Sequence, residues 1–136
     1  MFEIRRTYRF CASHAVRDPG LSDDENHRRF GDASHPSGHG HNFRLTLVVE
    51  GRPDPKTHRV VDLQALDRIV EEQVVAVYDH RNLNADVASL SGRIPTLEMV
   101  LTDVWTRLAD HVPGGRLASV SLQVDDFLSG SYAGGS

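Results

Sequence analysis

The sequence predicts an α+β fold, a four-stranded antiparallel sheet with two helices on one face. Two observations carry this. Strand-like alternation of apolar residues marks both ends of the chain, and two amphipathic helical stretches lie between them. The order strand, strand, helix, helix, strand, strand is met by a sheet with its helices packed on one side.

Residues 3–14 read as the first strand, with Phe10, Ala12 and His14 alternating onto one face. Residues 41–51 read as the second, where Phe43, Leu45, Leu47 and Val49 share a face. The long connection between them is of the kind that carries function. Within it, Ser22 followed by Glu25 forms a capping-box pattern and predicts a short helix to about residue 29. The stretch GDASHPSGHG that follows is loop-forming. Residues 62–77 carry Leu63, Leu66, Ile69, Val70, Val74 and Val77 at helical spacing behind Asp62 as N-cap. Residues 78–91 read as irregular. Thr96 caps the next helix, whose stripe is Leu97, Val100, Leu101, Val104 and Leu108, ending before Pro113. Asp103 is expected on its solvated face and Trp105 in the core or an interface. Strands at 117–124 and 129–133 complete the sheet. Its two open edges predict a homo-oligomer.

At 136 residues the chain is expected to form a single domain, 1–136. Net charge is 15 − 19 = −4 and the basic residues are scattered, so nucleic acid is not an expected partner. Apolar runs are a few residues long, so no membrane association is expected. The first residues hold no apolar leader, and the single cysteine, Cys11, excludes an internal disulfide. A cytoplasmic setting is expected. Cys11 reads as a small packed apolar residue.

Histidine is over-represented, at 14, 27, 35, 39, 41, 58, 80 and 111. In His39-Gly40-His41 the two imidazoles point to one side of a strand. With His14 at the end of the preceding strand they supply three nitrogen ligands and an open fourth position, the pattern of a catalytic zinc site. A cupin-type site would need a carboxylate soon after; the next acid, Glu50, is too far along and of opposite parity. Asp79-His80 reads either as an oriented acid–base pair or as a solvated loop histidine. His27, His58 and His111 read as surface residues.

Seven segments run in order along the chain: FCASH at 10–14, LSDDEN at 21–26, FG at 30–31, HPSGHGHNF at 35–43, VVDL at 60–63, YDHRNLN at 78–84 and PTLE at 95–98. Together they resemble the 6-pyruvoyltetrahydropterin synthase family, which includes 6-carboxytetrahydropterin synthase. The resemblance implies a tunnelling fold whose subunits oligomerise into a β-barrel, as homotrimers or homohexamers with active sites between subunits. It implies Zn²⁺ on His14, His39 and His41, and a small-molecule substrate, a pterin with a hydroxylated side chain. It implies a proton relay at Asp79 and His80, and substrate contacts at Thr96 and Glu98.

The chain departs from the family in two places. Aligned without gaps, Ala33 stands where the pyruvoyl-forming enzymes carry a cysteine base, and His35 stands at the cysteine position of the carboxy-forming ones. A methyl group takes no proton, so His35 or His80 becomes the candidate base. Val124 stands where a glutamate should bind the pterin ring; Asp125 can replace it only across a bulge, because one residue of shift reverses the face. Three readings follow. One is a zinc-dependent carbon–oxygen lyase on a pterin or related polyol with an altered base. Another is a divergent zinc lyase, aldolase or isomerase on a non-pterin sugar-like or hydroxy-ketone substrate. The last is a non-catalytic metal-bound paralogue.

Overall fold

The computed structural model describes residues 1–135. Strand β1 (Phe2–His14) pairs antiparallel with β2 (His39–Gly51) along its whole length, from Phe2 opposite Gly51 to His14 opposite His39. The 24-residue excursion between them leaves and re-enters at one end of the pair. It holds α1 (Asp23–Phe30), capped by the Ser22 hydroxyl on the Glu25 amide, as the capping pattern predicts. The only buried residue of α1 is Asn26, whose carboxamide bonds Asp18, Leu21 and Ser22 backbone atoms. This helix is therefore pinned by one polar side chain and stands outside the apolar core.

Helix α2 begins at Leu63 behind the Asp62 cap and passes as Leu63–Val70, a π turn Glu71–Val75 and Ala76–Tyr78. A two-residue strand follows, β3 (Arg81–Asn82), then α3 (Leu97–Leu108) behind Thr96, β4 (Arg116–Gln123) and β5 (Ser129–Tyr132). The sheet order is β3-β1-β2-β4-β5.

The α+β class holds, with one correction. Among the described residues the sheet has five strands and is mixed, because β3 lies parallel to β1, Ala12 opposite Arg81. No alternation marks so short a strand; side chains hold it, with the Asp86 carboxylate accepting the Asn82 amide and Asn82 accepting from Asn84. The three helices among the described residues are the ones the sequence predicts, α1 in the excursion and α2 and α3 on the sheet.

The core forms between one sheet face and helices α2 and α3. Phe10, Phe43, Leu45, Leu47 and Leu122 meet Leu66, Val70, Val74 and Tyr78 of α2 and Val100, Leu101, Val104 and Leu108 of α3, all buried. Each such side chain contributes about 1.5–3 kcal/mol relative to exposure. Phe10 and Phe43 stack at 5.0 Å across the first strand pair. Asp103 does not face solvent as expected. It accepts from the Tyr78 hydroxyl and from Arg107 Nε at 2.9 Å, while Arg107 also reaches Ser89 at 2.9 Å. This network ties α3 to the end of α2. Trp105 is half-buried and meets Tyr132 edge-on at 5.7 Å.

Candidate metal centre

The β1–β2 register assembles the histidines. His14 lies directly opposite His39, and His41, two residues on, lies opposite Ala12. Cross-strand partners share a face, as do residues i and i+2. All three rings therefore project from the core face at the end of the strand pair. Their centroids are 4.7 Å apart for His14–His39 and His39–His41 and 5.3 Å for His14–His41. One ring nitrogen from each lies within 4.8 Å of the others.

His14 is buried, and its Nδ1 is 2.9 Å from the Pro95 carbonyl. A carbonyl only accepts, so Nδ1 carries the proton and Nε2 keeps its lone pair. Burial first, with lesser help from the neighbouring His39 and His41, lowers the His14 pKa to about 4 against the Pro95 bond, which raises it. Burial, then His39, lowers His41 too, with Asp125 opposing. Neutral imidazoles are the form that binds a metal. Three nitrogen donors, one anchored through its far N–H, could hold a metal ion and match the ligand types that Zn²⁺ takes.

Two features hold the strand end in place. Gly38 sits at φ 73°, and a Cβ there would lie 3.0 Å from the His14 carbonyl oxygen, so the chain entering β2 can close on His14 only with glycine. On the other side, Asn84 binds both backbone groups of Ala15, accepting from its amide and donating to its carbonyl, each at 2.9 Å. Asn84 and the Pro95 carbonyl escape a reading of spacing. The signal for Asn84 is an asparagine two residues after Asn82 in a non-helical stretch; a backbone carbonyl leaves none.

Asp79 and His80 are together, His80 Nδ1 lying 2.9 Å from Asp79 Oδ2. Both are fastened to β1: the Cys11 amide donates to Asp79 Oδ1 at 2.8 Å, and the His80 amide donates to the Cys11 carbonyl at 2.6 Å. The Cys11 amide, then His80, holds the Asp79 pKa below the usual carboxylate range. His80 takes a φ of 60°, and its ring is exposed. Cys11 itself is exposed, not packed. Its parity explains this: Phe10, Ala12 and His14 take the core face, so Cys11 takes the other.

His35 is also exposed and does not join the three imidazoles; its Nδ1 accepts the Ser37 amide at 3.2 Å. Ala33 is half-buried, its carbonyl accepting from Val16 at 2.8 Å. Thr96 caps α3 through the Met99 amide at 3.3 Å, next to the Pro95 carbonyl that holds His14. Glu98 is exposed in the first turn of α3. Val124 is buried. Asp125 begins the β4–β5 turn, where its Oδ1 accepts the amides of Phe127 at 2.7 Å and Leu128 at 2.8 Å. The β4 irregularity lies at Val48/Val49 of its β2 partner, the far end of that pair.

Comparison with known proteins adds the following. The family model for 6-pyruvoyl tetrahydropterin synthase matches residues 3–130. The 6-pyruvoyl tetrahydrobiopterin synthase of Pongo abelii is 37% identical over 91% of this chain and 86% of its own length. The dihydroneopterin monophosphate aldolase of Pyrococcus furiosus is 37% identical over 62% of this chain and 68% of its own. The solved structure of Caenorhabditis elegans 6-pyruvoyl tetrahydropterin synthase superposes with a TM-score of 0.92 at 29% identity, covering 98% of this chain and 96% of that one.

Proposed function

We propose a zinc-dependent carbon–oxygen lyase activity, on the hydroxylated side chain of a pterin or related polyol, for this chain, which belongs to the 6-pyruvoyl tetrahydropterin synthase family. The observation that carries the proposal is the convergence of His14, His39 and His41, with His14 fixed by Pro95. Zinc held there would supply Lewis-acid polarisation of side-chain oxygens and stabilise developing negative charge.

The remaining groups are the chain's own. Asp79, ionised, accepts the Nδ1 proton of His80 and fixes its tautomer, which leaves Nε2 to take up or deliver a proton. The exposure of His80 suits a group that serves the site of a neighbouring subunit, in a trimer or hexamer. His35 is the second candidate base. Its Nδ1 accepts the Ser37 amide, so in the neutral ring Nε2 carries the proton, and Nδ1 takes up a proton only once Ser37 lets go. Glu98 and Thr96 sit at the α3 end that borders His14, where they contact substrate. Asp125 has Oδ1 committed to its turn, so it meets a ring edge through Oδ2 alone, a weaker anchor than a carboxylate with both oxygens free. The exposed thiol of Cys11 suits a reducing, cytoplasmic setting.

The test is product analysis with 7,8-dihydroneopterin triphosphate. With alanine at 33, wild-type turnover to the pyruvoyl product is expected to be about 10²–10⁴-fold below that of a cysteine-bearing relative. Ala33→Cys should raise it, and His80→Ala or His35→Ala should lower what remains. Full turnover in the wild type, unchanged by either histidine substitution, would reject this assignment of the base.

A second reading, cleavage of a carbon–carbon bond in the same class of side chain, is favoured by the similarity to the Pyrococcus furiosus protein named as an aldolase. An aldehyde product in the same assay distinguishes it.

A further inference from the structure

We infer that the sheet face opposite the histidines carries a phosphoryl-binding site built on Arg9 and Arg44. The two arginines are register partners in β1 and β2. Their side chains therefore leave one face, with Cβ atoms about 4.5–5.5 Å apart. That face also carries the next register pair, Cys11 and Asn42, while α2 and α3 cover the other. Both arginines are exposed.

Like charges placed directly opposite each other in a sheet are destabilising. The chain neutralises three other strand arginines, Arg5 with Glu3, Arg6 with Asp67 and Arg116 with Glu50, while Arg81 of β3 is left without an ion pair among the described residues. Among the described residues, neither Arg9 nor Arg44 forms an ion pair. Asp125 and Asp126 share a second hollow with Arg44 but make no ion pair with it, so neither guanidinium is directly neutralised.

A groove of about 480 Å³ runs beside them, lined also by Cys11, Asn42 and Asp79. The Asn42 carboxamide adds a neutral donor. The one carboxylate there, Asp79, is already engaged by the Cys11 amide and His80. Two planar guanidinium forks flanking a groove match a tetrahedral, doubly charged oxyanion, which takes paired N–H bonds from each. The occupant is a phosphoryl group, either free inorganic phosphate or the phosphate tail of a small molecule. This inference does not depend on the metal centre or on the proposed reaction.

Calorimetric titration of the full chain at constant ionic strength tests it, with inorganic phosphate, pyrophosphate and tripolyphosphate as probes. Wild type should bind, and Arg9→Gln or Arg44→Gln should each weaken binding about tenfold or more. His41→Ala should leave it unchanged. Melting in phosphate-free buffer serves as the fold control, since both arginine variants should be at least as stable as wild type once the repulsion is gone. Tighter binding of tripolyphosphate than of phosphate assigns the site to a phosphate tail; equal affinity assigns it to the free anion. No binding by wild type, or binding untouched by both arginine substitutions, overturns the inference. Loss on His41→Ala alone places the anion at the histidines and overturns it equally.

Discussion

Asn84 grips the backbone of Ala15 from both sides, its Oδ1 taking the amide proton and its Nδ2 meeting the carbonyl, each at 2.9 Å. The peptide it holds follows His14 directly, so a side chain in the loop after α2 fixes the end of β1.

Replacing Asn84 by alanine leaves a buried residue, Ala15, without either partner. The expected loss is about 1–3 kcal/mol of stability, read as a lower urea midpoint with unchanged slope. Asn84→Asp keeps the acceptor alone and should lose part of that. An unchanged midpoint in Asn84→Ala would show that Ala15 finds other partners.

Purified protein should carry one zinc per chain, and His41→Ala should lose it on dialysis against a weak chelator. Removing one of three protein ligands leaves two nitrogens, too few for a stable tetrahedral site. Stoichiometric zinc in the variant at wild-type affinity would reject the site.

Light scattering at micromolar concentration should give three or six times the 15.1 kDa chain mass. The motive is the pair of open sheet edges at β3 and β5. A stable monomer would remove the basis for a site shared between subunits.

Asp103→Asn should flatten the acid limb of the stability curve. Burial pushes the Asp103 carboxyl up, but hydrogen bonds from Tyr78 and Arg107 outweigh it, and the folded pKa lies below the ordinary value of 3.8. A carboxyl with a lowered folded pKa adds stability above its unfolded pKa and loses it as pH falls through the folded one. At neutral pH the variant should therefore be weaker by about 1.5–3 kcal/mol. The gap should close below pH 3.8, as followed by denaturant melts across pH. A constant gap at all pH values would mean that packing, not charge, carries the effect.

Strong periodicity made most of this legible. Two strands of period two with histidines at 14, 39 and 41 already imply a shared face, and the antiparallel register does the rest. Helices announced by Ser22, Asp62 and Thr96 begin where those caps stand. What escaped was built by single side chains. The parallel strand β3 has two residues and no pattern. The role of Asp103 needed knowledge of where Tyr78 would end up. Asp125 was read as reaching the ring only across a bulge; that its Oδ1 closes a turn on the amides of Phe127 and Leu128 is a feature of the loop and not of the strand. Cys11 was misplaced although its parity was available, because small apolar character was weighed above position.

The π turn in α2 sets an angular phase. Its buried residues Leu66, Val70, Val74 and Tyr78 are spaced by four. An α-helix advances about 100° per residue, so each four-residue step overshoots a full turn by about 40°. Over the three steps an unbroken α-helix would rotate the stripe by about 120°. The wider turn at Glu71–Val75 absorbs part of that drift. If the same residues wound as an uninterrupted α-helix, everything downstream would swing by the drift that the wide turn absorbs. Tyr78 would turn from the core and Asp79 from the Cys11 amide, with no substitution at either position. The winding of one helical turn thus decides whether an acid meets its partner.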